Sequence, residues 1–163
     1  MRLRADEVEL PDGTILPNYY VRESLGFATV LAVTEDDRAV LVRQYRYGAD
    51  SVHLELPAGM RNPGETALGC ALRELAEETG YEAARWELAA EFHPEPVRSP
   101  ALAQVYVATG ARKTRDQRLD PTEHLEVELV PLSRLRSLLA DGTIDAGASI
   151  VAGYRALDYL GRL

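Results

Sequence analysis

The sequence lacks features that several classes of protein need. It has one cysteine, Cys70, so no disulfide can form within the chain. No apolar run approaches the roughly 18 residues that a membrane-spanning helix requires. Its first ten residues, MRLRADEVEL, carry charges throughout and contain no apolar stretch of the kind found in a signal peptide. We therefore expect a cytoplasmic protein with no membrane partner.

Positive charge is also scarce. The 163 residues include 18 Lys and Arg against 26 Asp and Glu, which gives a net charge of −8 at pH 7. A protein that binds duplex nucleic acid is expected to show a basic stripe, so this balance argues against that partner. A phosphate substrate would be repelled as well. Metal ions and local arginines would therefore have to reverse the sign of the charge inside any phosphate site.

Histidine is rare and scattered. His53, His93 and His124 have none of the close spacings of a histidine metal site, so we assign them surface or hydrogen-bonding roles by default. His93 has the best case for a place in a site because it lies in a proline-rich loop.

With 46% apolar and 27% charged residues, the chain is ordinary for a globular protein and long enough for a substantial core. We expect a single domain over residues 1–163.

The most informative stretch covers residues 59–81 and reads GMRNPGETALGCALRELAEETGY. A Pro-Gly turn and Gly80 bracket a segment without proline that is rich in Ala, Leu and Glu, which predicts a helix over about residues 66–79. We expect Cys70 to be a small packing residue in it. Its apolar residues at three- and four-residue spacing predict one face packed on the core, formed by Leu68, Ala71, Leu72 and Leu75.

Three carboxylates share another face of this helix. Glu74, Glu77 and Glu78 are spaced i, i+3, i+4, so their like charges repel one another. Hard divalent cations such as Mg²⁺ and Mn²⁺ would remove that penalty because they take oxygen ligands. Arg73 lies four residues before Glu77 and is suited to hold that carboxylate in one orientation. Taken alone, such a helix is also typical of a solvated acidic face.

The spacing of the whole stretch favours the first interpretation. The stretch resembles the sequence pattern of the Nudix hydrolases. In order along the chain, that pattern is Gly59, five residues, Glu65, seven residues, Arg-Glu-Leu, one residue, Glu-Glu, one residue and Gly80. Tyr81 departs from it, since a smaller aliphatic residue is usual there. The resemblance implies an α+β fold, an α/β/α sandwich in which helices flank a mixed sheet. It also implies Mg²⁺, with Mn²⁺ as an alternative, and a catalytic helix whose working residues are Arg73, Glu74, Glu77 and Glu78, the three glutamates being metal ligands.

A second pair of segments narrows the resemblance. VRQYR and the following LELPAG are similar to the ADP-ribose pyrophosphatase branch. That likeness implies substrate contact by Arg46, support of the site by Glu55 and a metal-binding backbone carbonyl at Ala58. An arginine offers a bidentate fork for phosphate, and Tyr45 offers a stacking surface for a base. From composition alone, an edge strand with solvated charges is the alternative.

The same resemblance covers about residues 7–160 and implies a homodimer. A Pro-Asp-Gly turn predicts an N-terminal hairpin over about residues 7–22, which has too little area to be stable alone. Enzymes resembling this one often pair through that region and share the adenine pocket. We expect further strands at 27–33, 39–44, 53–56, 86–92, 101–108 and 125–130, an exposed connection at 111–120, and helices at 132–140 and 148–160.

One element of the branch's pattern is missing. Many members carry SPGxxxE after the helix, where the glutamate is a general base or an extra metal ligand. Here the matching stretch begins Arg-Ser-Pro-Ala at residues 98–101, without the glycine or the glutamate. Glu95, Glu123 and Glu126 are the candidates to replace it. We favour Glu123, because it lies in a loop and is freer to reach the metals than Glu126 on the following strand.

The reaction implied by the resemblance is hydrolysis of ADP-ribose to AMP and ribose 5-phosphate, with a small-molecule nucleotide as the partner. Metals roughly 3.5–4 Å apart can activate water and neutralise phosphoryl charge. Three alternatives stay open. Hydrolysis of a mutagenic nucleoside triphosphate such as oxidised dGTP is disfavoured by the VRQYR and LELPAG segments. The other two are as follows. One is hydrolysis of another nucleotide sugar or dinucleotide, such as GDP-mannose, ADP-glucose or flavin adenine dinucleotide. The other is a non-catalytic Nudix-fold module that only binds a nucleotide.

Overall fold

A computed structural model describes residues 2–163 of the chain, and over these residues it contains ten strands and three helices. The helices are α1 (Ala67–Thr79), α2 (Leu132–Ala140) and α3 (Gly147–Tyr159). The strands are β1 (Arg2–Glu9), β2 (Ile15–Glu23), β3 (Phe27–Thr34), β4 (Arg38–Arg46), β5 (Ser51–Glu55), β6 (Ala58–Met60), β7 (Tyr81–Glu82), β8 (Arg85–Phe92), β9 (Ala103–Lys113) and β10 (Leu125–Pro131).

The strands form two sheets. β1 and β2 pair with each other alone as an antiparallel hairpin. The other eight form a mixed sheet whose central order is β10-β4-β3-β9-β7, with β5 on β4, β6 on β3 and β8 on β9. β3 and β9 run parallel, and the remaining pairs are antiparallel.

Helices cover both faces of the larger sheet, which confirms the α+β sandwich. Along β3, Val30 packs in the cluster that includes α1, whereas Leu31 packs in the cluster with α2 and α3. Successive side chains of a strand point to opposite faces, so a central strand covered on both sides is apolar throughout. This is why residues 27–33 read as a continuous apolar run.

The helix at the centre of the sequence pattern forms over the predicted residues. The Thr66 hydroxyl accepts a hydrogen bond from the Gly69 N–H at 3.0 Å and caps its start. Gly80 ends it in the left-handed region at φ 74°, where a Cβ would lie 2.2 Å from the carbonyl oxygen of Arg115. Glycine is therefore required at this position both for the backbone angle and for the close approach.

Two of the four residues predicted to form the apolar face of α1 are not buried. Ala71 and Leu75 are buried, but Leu68 and Leu72 are 39% and 44% exposed. The helix packs instead through small residues, including Cys70 as expected, which let it lie close to the sheet. This orientation also turns part of its acidic face inward, and Glu78 is among the buried residues.

Other differences lie at the ends of elements. β9 continues to Lys113, into the residues predicted as an exposed connection, and the two shortest strands, β6 and β7, were not predicted. The hairpin is longer than the predicted residues 7–22. It contacts the loop after β8 through the Arg22 N–H, which donates to the Arg98 carbonyl at 2.7 Å, and through an Arg22–Glu95 ion pair at 2.9 Å. Within residues 2–163, no helix is long and apolar enough to cross a membrane.

Candidate active site

A cavity of about 500 Å³ lies beside α1. Its wall is formed by α1, by β3, β4, β5 and β6, by the segment before β10 and by the start of α3. Seven of the predicted site residues line it. They are Arg46, Glu55, Ala58, Arg73, Glu74, Glu78 and Glu123. Elements far apart in the chain thus bring together most of the residues that the sequence pattern singled out.

Arg73 is the hub of the polar network on α1. It donates two hydrogen bonds to the Glu65 carboxylate, at 2.8 and 3.0 Å, one to Glu74 at 2.6 Å and one to Glu77 at 3.2 Å. The bonds from Arg73 lower the pKa of Glu65 to about 2. The predicted contact with Glu77 is present, but Glu65 is the main partner. Glu77 itself does not line the cavity.

Glu78 has a different environment from its neighbour Glu77. It is only 5% exposed, and the Ala58 N–H donates to its Oε2 at 3.1 Å. Burial, followed by the nearby Glu74 carboxylate, raises the pKa of Glu78 to about 8. The Ala58 N–H and the charge of Arg46 favour the ionised form but do not outweigh the burial.

Glu74 lies against the backbone of β6. A Cβ on Gly59 would come within 1.9 Å of the Glu74 Oε1, so only glycine allows this carboxylate to take its position. Burial raises the pKa of Glu74 although Arg73 opposes the rise, and the charges of Glu77 and Glu123 add to it. The glycine that opens the sequence pattern therefore has a direct steric role at the site.

The residues present fit a hard divalent cation. Glu74, Glu78 and the Ala58 carbonyl supply hard oxygen atoms among the cavity-lining residues, and burial, with neighbouring carboxylates second to it, raises the pKa of both carboxyls. Across residues 2–163, no group of three or more His, Cys, Asp or Glu side chains is arranged to hold a metal. A cation bound here would therefore complete its shell with backbone oxygen and water, as Mg²⁺ commonly does.

Arg46 is fixed beside the acidic end. Its Nε and Nη2 donate to the two oxygens of Glu55 at 2.8 and 2.7 Å, and Glu55 is buried. This bidentate pair orients the guanidinium at the cavity wall. Tyr45 points to the opposite face of β4, where its hydroxyl donates to Asp50 at 2.6 Å, and it does not line the cavity.

Of the three candidates for a base, only Glu123 lines the cavity. Its Oε2 accepts a hydrogen bond from the Asp120 N–H at 3.1 Å, and its charge contributes to the raised pKa of Glu78. Glu95 is paired with Arg22 beside the hairpin. Glu126 is exposed on β10.

Several lining residues were not predicted. Gln44 is one, and the period-two alternation of β4 with Arg46 could have identified it. Phe27, Thr29, Asp120 and Ser149 come from elements whose sequences gave no such signal. His93 donates from Nδ1 to the Ala101 carbonyl, 3.1 Å away, and is not part of the lining. His53 lies between Ser51 and Asp145, at 2.8 and 2.6 Å, and ties β5 to the segment before α3.

Comparisons with known proteins give one matching domain family, several similar proteins and a similar fold. The NUDIX domain matches residues 25–150. The chain is 32% identical to the methanol dehydrogenase activator of Bacillus methanolicus, over 93% of this chain and 82% of that protein. It is 34% identical to the ADP-ribose pyrophosphatase of Bacillus subtilis, over 80% of this chain and 70% of that protein. The crystal structure of an ADP compounds hydrolase superposes with a TM-score of 0.84 at 23% identity, over 99% of this chain and 88% of that one, which supports the fold.

Proposed function

The chain belongs to the NUDIX family, and from that premise we propose that it is a hydrolase that cleaves ADP-ribose to AMP and ribose 5-phosphate. The observation that carries the proposal is the cavity itself, in which the partly buried Glu74 and the buried Glu78 line the same wall as the fixed guanidinium of Arg46. A diphosphate needs positive charge close to its oxygens. Arg46 provides one such charge, and the glutamates would hold the metal ions that provide the rest. The likeness to the pyrophosphatase of Bacillus subtilis supports the choice of ADP-ribose.

Glu74, Glu78 and the Ala58 carbonyl are the groups that would hold Mg²⁺ in this proposal. A metal bound by these groups would neutralise charge at the phosphate and make a water more acidic. Glu77 was predicted as a further ligand, but its hydrogen bond to Arg73 and its absence from the cavity wall favour a role in orienting Arg73. Mn²⁺ is the alternative cation, because the donor set is made of hard oxygen.

The remaining steps fall to other side chains. Arg46 binds phosphate oxygens, and Glu55 holds the Arg46 guanidinium in position through two hydrogen bonds. Glu123 accepts the proton of the attacking water, which adds to phosphorus while the bridging oxygen leaves with the other phosphate. Arg73 holds Glu74 in position. Tyr45 has no part in this site because it lies on the far face of β4.

A hydrolysis assay with a panel of substrates tests the proposal. The wild type is incubated with Mg²⁺ and ADP-ribose, GDP-mannose, ADP-glucose or flavin adenine dinucleotide, and the products are resolved by chromatography. We expect the highest kcat/KM for ADP-ribose, with AMP as one product. A preference for another compound would identify a different substrate, and no turnover of any of them would favour a binding module. Glu78→Gln, purified in parallel, excludes a contaminating hydrolase.

We also propose that the active form is a homodimer built through the hairpin, and that the whole chain works as one unit in the cytoplasm. β1 and β2 pair only with each other and leave large apolar side chains exposed, including Leu3, Ile15 and Tyr20. Val97, whose carbonyl accepts a hydrogen bond from the Tyr19 hydroxyl of the hairpin, is a further exposed apolar residue. Light scattering should give about twice the 18.0 kDa of the chain. A monomer that keeps full activity at nanomolar concentration would contradict this.

A further inference from the structure

The segment between β9 and β10 has two sets of contacts. Its first residues cover the C-terminal end of α1: the N–H groups of Thr114 and Arg115 donate to the Gly80 carbonyl at 2.9 and 3.3 Å, and that of Arg118 donates to the Glu77 carbonyl at 2.8 Å. The last carbonyls of a helix have no partner within it, so the segment supplies those partners. Its later residues carry Glu123 into the cavity wall.

Gln117 joins these two parts through its side chain. Its Nε2 donates to the Glu78 carbonyl at 2.6 Å and to the Leu125 carbonyl at 3.2 Å. A side-chain amide nitrogen has two N–H groups, so both are used on backbone oxygens. The side chain is half-buried and does not line the cavity, so it has no direct access to a bound substrate.

The two acceptors of Gln117 are backbone carbonyls of two different elements, α1 and β10. Glu78 is the buried carboxylate of α1, and Leu125 is the first residue of β10, two positions after Glu123. The loop that carries Glu123 is otherwise held by its own turn, in which the Glu123 N–H donates to the Asp120 carbonyl at 2.9 Å. Gln117 is thus a short link between the backbone of Glu78 and the end of the loop that presents Glu123.

We infer that Gln117 is a positioning residue that sets Glu123 against Glu78 for hydrolysis. The inference rests on the proposed function, because it gives Gln117 a role only through Glu123. A simple cap of the helix is the competing explanation. Both explanations predict a loss of stability when Gln117 is changed, so stability alone cannot separate them. The coupling between Gln117 and Glu123 can, because a positioning residue loses its effect when the residue it positions is inactive.

The test is a double-mutant cycle of Gln117→Met and Glu123→Gln with ADP-ribose and Mg²⁺. Methionine keeps the length of the side chain and removes both donors. We expect Gln117→Met alone to lower kcat about tenfold relative to the wild type. Added to Glu123→Gln, it should lower kcat by less than about twofold relative to Glu123→Gln, and KM should change little in both cases. Arg118→Ala is the matched control, since its contact with α1 is made by the backbone and is kept. Gln117→Glu, which has the same shape and no N–H donor, is the second variant if methionine prevents folding.

A second readout needs neither metal nor substrate. Amide hydrogen exchange of the metal-free protein should show faster exchange over residues 119–124 in Gln117→Met, with the amides of β4 and α2 unchanged. Unchanged exchange in the loop would overturn the inference, and so would general acceleration across α1.

The kinetic outcomes are distinct. An equal loss of kcat in both backgrounds, or no loss in either, would overturn the positioning role. If the wild type is active and Glu123→Gln keeps its full activity, the positioning role of Gln117 is overturned, but the hydrolase function is not. Absence of turnover in the wild type would instead overturn the proposed function, and this inference would fall with it.

Discussion

The two sides of α1 differ more than their sequence suggests. On the cavity side, Glu74 and Glu78 are largely buried, and Glu78 has no cationic side chain bonded to it. On the outer side, Glu77 is bonded to Arg73 beside two half-exposed leucines. Arg73 is bonded to both Glu74 and Glu77, whereas Glu78, the next residue after Glu77, is buried with no cationic side chain bonded to it. Burying a charge without a partner is unfavourable, so the cavity side points to a ligand that arrives from outside the chain.

Replacing a carboxylate on each side should give the largest contrast. Glu78→Gln removes a proposed metal ligand from the cavity side, and we expect kcat to fall by at least about 10³-fold, more than the 10–100-fold typical of outer-shell changes. Glu77→Gln removes only a bond to Arg73 and should cost less than about tenfold. Steady-state kinetics on both variants measures the difference. Equal losses would mean that the two sides contribute alike.

The proposed base should show the next largest effect. Glu123→Gln removes a proton acceptor from the cavity wall, and we expect kcat to fall about 10²-fold with KM much less affected. Glu95→Gln and Glu126→Gln are matched controls, because these glutamates lie outside the wall, and each should stay within about threefold of the wild type. Losses below about tenfold in all three would mean that hydrolysis needs no protein base.

A steric change tests the cavity side without removing any charge. Gly59→Ala places a methyl where the Glu74 carboxylate now lies, so that carboxylate must move. We expect a loss of about 10–100-fold in kcat/KM, the size seen when a supporting residue is lost. Gly48→Ala is the control for the loss of a glycine, since Gly48, like Gly59, has no positive φ, but its Cβ would meet nothing within 4 Å. If both variants retain wild-type activity, the position of Glu74 is unimportant.

The smallest effect concerns pH and stability without metal. The pKa of Glu78 is raised to about 8 in the folded state by burial, against about 4.3 when unfolded. The folded state therefore binds this proton more tightly, so the stability from Glu78 is fully present below pH about 4.3 and is lost as the pH rises through about 8. Relative to Glu78→Gln, the Tm of the wild type should fall between pH 5 and pH 8.5. Mg²⁺ should restore part of it at the higher pH. A difference in Tm that does not change with pH would contradict the burial of Glu78.

The sequence allowed α1 to be predicted closely because its signals are local. The Pro63-Gly64 turn before it and Gly80 after it mark its ends within a few residues. The spacing also identified Glu74, Glu78 and Arg73, which share the cavity wall. Arg46 was found through its own segment, and the structure brings it to the same wall.

The rotation of α1 could not be predicted in the same way. Leucines at 68 and 72 and small residues at 67, 70 and 71 give two apolar stripes that periodicity alone cannot rank. Packing against the sheet selects the small-residue stripe. Ser149 and Asp120 join the site only because α3 and the loop before β10 end beside it, which depends on tertiary contacts. β6 and β7 have three and two residues, too few for a period-two pattern.

Metal binding itself tests the central claim most directly. Mn²⁺ binding, followed by its electron paramagnetic resonance signal, needs no substrate and no turnover. We predict binding to the wild type at pH 8, loss of at least about tenfold in affinity in Glu78→Gln, and near wild-type affinity in Glu77→Gln. Equal affinity in all three proteins, or a greater loss in Glu77→Gln, would contradict the account that the cavity side of α1 is the metal site.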